Sequence, residues 1–363
     1  MKPLGPMALP LSLLYGIGTK VFRKSFEAGF RERQVCRKPV LSVGNIEAGG
    51  TGKTPLVLSL CHWFLSRGRR PGIVSRGYGR KRSGHSRLVS KGEGLLLSPE
   101  EAGDEPALYA TRFPDIPVAV SEDRREGVEM IQDLCDLILL DDGFQSLEII
   151  PTLSFVFLPS FLAERPSAGL SDLLPSGPLR EPVRVLDRAT HWVMPSSGDP
   201  VNDMDQTEKV RRHLSGSVAP SGFRPILFQR YAIEGVDDFD RRRILGPKDL
   251  AGFKVALVVG IANPMRVLQS LRALGADVVG FLALPDHAQY TPMVWKKVAV
   301  FSTAMKEQGA RLMLTTEKDR VKWSEAPSTD LSVGVLRGNT ELLDPDRWGA
   351  VLSPFLSDAV RVR

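Results

Sequence analysis

Short apolar runs separated by stretches of helical period mark out most of this chain from Val40 onward. Val40, Leu41 and Val43 open one run, Ile73 and Val74 sit in the next, and IPVAV, LILL and LSFVF follow at 116–120, 137–140 and 153–157. Between them PLVLSLCHWFLSRG reads as a helix closed by Gly68. The segment beginning Asp104-Glu105-Pro106 reads as another, with Asp104 as its cap and proline in the first turn. Apolar strands alternating with helices predict a doubly wound α/β sheet. A polar stretch from Pro195 to Pro225, broken by Ser, Gly and Pro, predicts a boundary. Beyond it KVALVVGI, a helix over 264–274, DVVGFLAL, a helix over 295–308 and RLMLTT predict a second, smaller parallel sheet. The expected organisation is an amphipathic segment over 1–38, a nucleotide-binding domain over 39–222 and a smaller α/β domain over 223–363 that closes a cleft.

The first stretch has a different pattern. On a helix begun at Leu11, the residues Leu11, Leu14, Tyr15, Ile17, Val21, Phe22 and Phe26 share one broad face, while Ser12, Thr19, Lys20, Arg23, Lys24 and Glu27 take the opposite arc. An aromatic-bearing apolar face backed by basic residues is the pattern of a helix lying in a membrane interface. The run is too short to span a bilayer, which needs about 20 apolar residues. It leads straight into the Val40 strand, unlike a signal peptide.

That strand opens onto the chemistry. PVLSVGNIEAGGTGKTP over 39–55 is a strand, a glycine-rich turn and a helix start. Gly49, Gly50 and Gly52 let the backbone approach a phosphate, and with Thr51 they turn successive N–H groups towards an anion. Lys53 is placed for the β/γ-phosphates and the Thr54 hydroxyl for Mg²⁺. The strict G-x-x-x-x-G-K-[ST] pattern wants glycine at 47, where this chain has Glu47. The LILL strand ends in Asp141 and Asp142, where nucleotide-binding sheets place an Mg²⁺-directing aspartate. Asp104, Asp286, His287, Glu317, Lys318 and Asp319 also follow candidate strands. Phosphoryl transfer from ATP needs such carboxylates, cations and a proton acceptor, and these motifs leave the acceptor molecule open.

Charge refines the picture by its location. Residues 1–40 carry eight basic and two acidic residues, an excess of +6 that equals the net charge of all 363 residues. Such a concentration points to an anionic surface as partner. A second patch holds nine basic and no acidic residues between Arg67 and Lys91. Tyr78 is its one aromatic residue, which gives little support to stacking on nucleic-acid bases. Three well-separated cysteines and five histidines without ligand spacing suggest neither disulfide framework nor zinc site, and a reducing, cytoplasmic compartment. The lack of an N-K-x-D string argues against a GTPase; a membrane-associated regulatory ATPase is the competing reading, although it leaves His287 unused.

The ordered set SVGNIEAGGTGKTP, SRGYGRK, GDEP, LDDGFQ, LLPSGPLREP, GIANP, LPDHAQYT and TTEKDRVKW closely resembles the tetraacyldisaccharide 4′-kinase (lipid A 4′-kinase) family. The resemblance runs from about residue 11 to 323, and the family's loop similarly lacks the first glycine. It implies a P-loop kinase fold and ATP-dependent phosphorylation of the 4′-hydroxyl of a tetraacylated glucosamine disaccharide 1-phosphate. It also implies peripheral attachment at the cytoplasmic face of the inner membrane through the N-terminal helix, with no obligate protein partner and no nucleic acid. By motif, Lys53 and Thr54 would hold phosphates and Mg²⁺, Asp141 or Asp142 would sit nearer the metal, and Asp104 would be the base, assisted by His287. Because that pair comes from two domains, chemistry would be gated by cleft closure. Arg76, Arg80 and Arg180 would meet the substrate's 1-phosphate. The family usually reads DDGFQH where this chain has Ser146 after Gln145, a change bearing on affinity or acceptor choice.

Overall fold

Thirteen strands hydrogen-bond into one sheet in this computed structural model, which describes residues 4–81, 84–164, 169–218, 222–323, 325 and 327–357. Lys2, counted in the N-terminal excess, and Arg82 of the second basic patch lie outside the described residues. The chain begins with α1 (Leu9–Glu27), β1 (Val40–Asn45), α2 (Lys53–Leu65), β2 (Pro71–Ser75), β3 (Arg87–Lys91), the short α3 (Pro99–Ala102) and α4 (Asp104–Arg112). It continues through β4 (Pro117–Val120), α5 (Arg124–Ile131), β5 (Leu137–Asp141), β6 (Leu153–Phe157), β7 (His191–Pro195) and α6 (Pro200–Leu214). The second half holds β8 (Ile226–Asp237), β9 (Arg243–Leu245), β10 (Lys254–Val259), α7 (Pro264–Ala273), β11 (Asp277–Ala283) and α8 (Pro292–Glu307). It ends with β12 (Leu312–Thr316), α9 (Glu317–Arg320), β13 (Val333–Leu342) and α10 (Pro345–Leu352).

The strand order is β11-β10-β12-β13-β8-β7-β6-β1-β5-β2-β4-β3, with β9 on β8. Two separate sheets were expected, and the strands instead form one. The joint is the long strand β8, which pairs parallel to β7 on one side and antiparallel to β13 on the other. Its twelve residues are long enough to belong to both halves. The Pro195–Pro225 stretch, expected to be irregular, contains the 15-residue helix α6. The Asp199 carboxylate caps it by accepting from the Val201 N–H, and Pro200 occupies its first turn.

Helix α2 is buried almost all round, between the central strands and α10. Leu56, Leu60 and Phe64 are fully enclosed, and each such side chain contributes roughly 1.5–3 kcal/mol of transfer free energy. Ser59 ties the helix to the joint by donating to the Thr340 carbonyl at 2.7 Å and accepting from the Thr340 N–H at 2.9 Å. The phosphate-loop helix is thus locked to β13, the last strand, which pairs with β8.

Helix α1 docks by a mixed face bearing Ser12, Tyr15, Gly16 and Phe26, so Tyr15 and Phe26 leave the expected outward apolar face while Lys20, Lys24 and Glu27 stay exposed. Ser12 is fully buried, donates to the Leu173 carbonyl at 3.0 Å and accepts from the Ser176 N–H at 3.0 Å. Tyr15 donates to the Arg180 carbonyl at 2.9 Å. Gly16 lies where an added Cβ would stand 3.1 Å from Leu173. Leu11, Leu14, Ile17, Val21 and Phe22 are therefore exposed on the outside. Among the described residues no helix is long and apolar enough to cross a membrane.

Candidate active site

The loop after β1 takes its shape from two glycines with positive φ, Gly49 at 130° and Gly52 at 102°. Asn45 holds the loop from within. Its side-chain amide donates to the Glu47 carbonyl at 2.5 Å and to the Thr51 hydroxyl at 3.1 Å, and its carbonyl oxygen accepts from Lys53 Nζ at 3.0 Å. Glu47 does not take a positive φ, so glycine is not needed there. Its backbone instead bridges antiparallel to Leu179, and Ala48 N–H donates to the Pro178 carbonyl at 2.8 Å. The departure from the strict pattern is accommodated by pairing with the LLPSGPLREP segment.

At the end of β5 two adjacent carboxylates occupy opposite electrostatic environments. Asp142 (φ 51°) lies 3.1 Å from Lys53 Nζ and 2.8 Å from Arg180 Nη1. Burial alone would raise its carboxyl, but the two cations outweigh burial and hold it down at about 2. Asp141 is buried and accepts one hydrogen bond, from the neutral Ser75 hydroxyl at 3.0 Å. Burial, with Glu105 and Asp142 nearby, pushes it up to about 6. Arg124, fully enclosed, spends its guanidinium on the Asp141 and Ser121 carbonyls at 2.8 and 2.9 Å, fixing the strand end.

On the facing wall, His287 Nδ1 lies 2.9 Å from Asp104 Oδ2 across 183 residues of sequence. The pair is bonded here without any further closure of the cleft. Donation to the Asp104 carboxylate raises the His287 imidazole above its usual range. Asp104 is held below the ordinary carboxylate range: burial would raise it, and the His287 bond, Lys322 and Lys318 outweigh that. Asp104 is the first residue of α4 and does not cap it. Gly103 takes that position with φ 93°, packed against Gly77 where a Cβ would meet backbone at 3.0 Å. The carboxylate, freed from capping, turns to the second half. Further ion pairs seam the halves along α4, Glu105 with Lys318 at 2.5 Å and Arg112 with Glu317 at 2.7 Å and with Glu234 at 2.8 Å. A cavity of about 1180 Å³ opens beside Asp104, walled by Tyr290, Trp295, Lys322 and Trp323.

The three candidate arginines separate. Arg180 joins the Asp142 cluster. Arg76 is exposed and makes no ion pair among the described residues, standing near Arg124 and so near Asp141. Arg80 is buried and donates to the His85 carbonyl at 2.7 Å, with Glu122 at 3.9 Å, so it braces its own loop. Sequence reasoning missed Arg124, Ser75 and Arg266. The last is on α7, where an added Cβ on Gly52 would stand 2.9 Å from Arg266 Nη1; no carboxylate pairs with it among the described residues, and burial lowers its pKa. Gln145 donates to the Asn45 backbone carbonyl at 2.8 Å and to Glu181 at 3.1 Å, while the Ser146 side chain makes no hydrogen bond among the described residues.

A family model described as tetraacyldisaccharide-1-P 4′-kinase matches residues 4–357. A tetraacyldisaccharide 4′-kinase of Syntrophus aciditrophicus is 37% identical over 88% of this chain and 86% of its own length. One of Geobacter sulfurreducens is 32% identical over 96% of this chain and 93% of its own. Among solved structures, LpxK from Aquifex aeolicus in complex with ATP superposes with a TM-score of 0.71 at 27% identity, covering 97% of this chain and 99% of that one. With a phosphate loop, two strand-end carboxylates and an aspartate–histidine pair on one cleft, and relatives spanning nearly its full length, this chain belongs to the tetraacyldisaccharide-1-phosphate 4′-kinase family of ATP-dependent lipid A kinases.

Proposed function

We propose that the chain transfers the γ-phosphoryl group of ATP to the 4′-hydroxyl of tetraacyldisaccharide 1-phosphate, with Asp104 accepting the hydroxyl proton and His287 holding that carboxylate. The observation that carries this reading is the placement of two differently charged clusters. Lys53 and Arg180 offer positive charge beside the phosphate loop, and Asp104 presents an ionised carboxylate bonded to His287, next to Glu105, which acts on Asp141. A nucleophile delivered between them is deprotonated on one side and meets an electrostatically stabilised phosphoryl group on the other.

The Mg²⁺ that accompanies ATP suits the hard oxygens of this site. Asp141, raised by burial beside Glu105 and Asp142 in spite of Lys53, makes no ion pair among the described residues and accepts from the neutral Ser75 hydroxyl. Asp142 already has two. Thr54 and Asp141 would therefore hold the metal, with Asp142 orienting Lys53 and Arg180. When bound, the ion neutralises charge on the β- and γ-phosphates. Arg266 and Arg76, cations without carboxylate partners among the described residues, are the candidate donors for nucleotide phosphate and for the acceptor's 1-phosphate respectively. Arg80 is committed to its loop and leaves that set.

The outward apolar face of α1 supports peripheral attachment to the cytoplasmic face of the inner membrane, where the acyl chains of the acceptor reside. The division at 222/223 is read as two bodies hinged about β8. The test is direct. Full-length protein is given ATP–Mg²⁺ and tetraacyldisaccharide 1-phosphate in detergent micelles, and the product is examined by phosphorus NMR. New phosphate on the distal sugar at the 4′ position is expected; phosphate elsewhere, or nucleotide hydrolysis alone, overturns the reading.

A further inference from the structure

Lys322 is among the most deeply enclosed cations in the protein, with a side chain 7% exposed. Its Nζ lies 2.9 Å from Asp319 Oδ1 and 3.7 Å from Asp104 Oδ2. Asp319 is itself fixed, for its Oδ2 accepts from the Gly260 N–H at 3.0 Å and from the Thr316 hydroxyl at 2.8 Å. The face of Tyr290 sits 5.3 Å from the ammonium and adds cation–π attraction. A lysine is buried at this cost only when its charge is compensated. Here two carboxylates from opposite halves of the protein compensate it.

The geometry points to Lys322 as a positioning residue that keeps Asp104 ionised and aims its free oxygen at the acceptor. His287 and Lys322 both converge on Oδ2, and among the described residues no hydrogen bond reaches Oδ1. Oδ1 therefore takes the proton of the sugar hydroxyl while its oxygen bonds to the γ-phosphorus and the bond from that phosphorus to ADP breaks. The other charged groups facing Asp104 leave this role to Lys322. Glu105 on α4 is occupied by Lys318 of α9, and Asp286 lies 3.7 Å from both Lys318 and His287 Nε2. Beside the His287 bond, Lys322 is thus the second-half lysine in ion-pair reach of Asp104, with Lys318 acting from farther away. The inference rests on Asp104 being the base.

The experiment is the pH profile of kcat/KM for the full-length enzyme with ATP–Mg²⁺ and the lipid acceptor, comparing wild type with Lys322→Gln, Lys322→Met and Lys322→Arg. Removing the cation raises the Asp104 pKa, so more of the carboxylate is protonated at low pH. The acidic limb is expected to move up by about one pH unit, an approximately tenfold loss on that limb against roughly threefold or less at its alkaline end. Lys322→Arg restores the wild-type limb. A uniform fall at every pH, or a limb that does not move, overturns the proposal. Lys322→Gln keeps a donor for Asp319 and Lys322→Met keeps the volume, so one folded variant of the two suffices. Asp104→Asn separates the two levels: full activity in that variant would remove the base itself, whereas an inactive Asp104→Asn beside an unmoved Lys322 limb removes this inference alone.

Discussion

The two walls of the cleft are built by different means. The phosphate-loop wall is contiguous, with Asn45, Thr51, Lys53 and Thr54 within ten residues and one strand, one turn and one helix end to place them. The opposite wall is assembled from α4 of the first half and from α9 and the turn after β11 in the second. The first is stiff because it is local. The second exists only while the halves remain seamed by Asp104–His287, Glu105–Lys318 and Arg112–Glu317. Binding of phosphate and activation of the acceptor are therefore separable, and substitutions should divide them.

The largest effect is expected at the contiguous wall. Lys53→Ala should lower kcat by about 10³-fold or more, since a cation aimed at the transferring group acts mainly in the transition state. Circular dichroism should show the fold retained, because Arg180 still partners Asp142. Substantial turnover would remove the loop from the chemistry. At the assembled wall, Asp104→Asn should reduce kcat by about 10²–10⁴-fold with the KM for ATP little changed. A rise in the ATP KM instead would show that the walls are not separable.

The two neighbouring aspartates offer a smaller, opposite-signed test. Asp141 has a folded pKa raised to about 6. The folded state thus binds the proton more tightly than the unfolded one, and stability falls as pH rises from the ordinary carboxylate range through about 6. Asp141→Asn should raise the melting temperature at pH 8 without magnesium, by a few degrees, while losing metal-dependent activity. The gain should vanish at pH 4, and an equal gain at both would point to packing. The clasp has the same slope from a favourable contact: the raised His287 contributes stability below its unfolded value and loses it as pH rises through the folded one. A His287→Gln variant should therefore differ from wild type in melting temperature at pH 6 and converge with it at alkaline pH. The mildest effect is expected away from both walls. Leu14→Asp with Val21→Asp should cut binding to anionic phospholipid vesicles by about tenfold and leave turnover on micellar acceptor within about twofold.

The same contrast explains what could be read from the sequence. Lys53, Thr54, Asp141 and Asp142 were legible because short-range spacing alone sets their geometry. His287 and Asp104 were legible singly as strand-end candidates and as a pair only through resemblance, since nothing in spacing tells two distant residues that they will meet, and Asp104 in fact opens α4 directly after α3. Lys322 was not legible: the lysine of TTEKDRVKW looks solvated until the fold encloses it. The α6 segment was hidden for a related reason, its buried face consisting of Asp203, Val210 and Leu214 alone. The antiparallel pair β8–β13 was hidden because β8 is covered unevenly along its length, so no strict alternation marks it. Asp104 was misread as a cap because a carboxylate at a helix start usually serves its own backbone. Here glycine took that task.

The outward-greased helix has one further consequence. Ser12 and Tyr15 fasten it to the 173–180 segment, and Arg180 on that segment grips Asp142 beside the phosphate loop. A single strut thereby runs from the apolar face proposed to meet lipid to Asp142 beside the phosphate loop. On the proposed orientation, the depth at which this float settles also fixes the height of the phosphoryl donor above the leaflet. The sugar alcohol would then need only to rise to that height, its tails never leaving the oil.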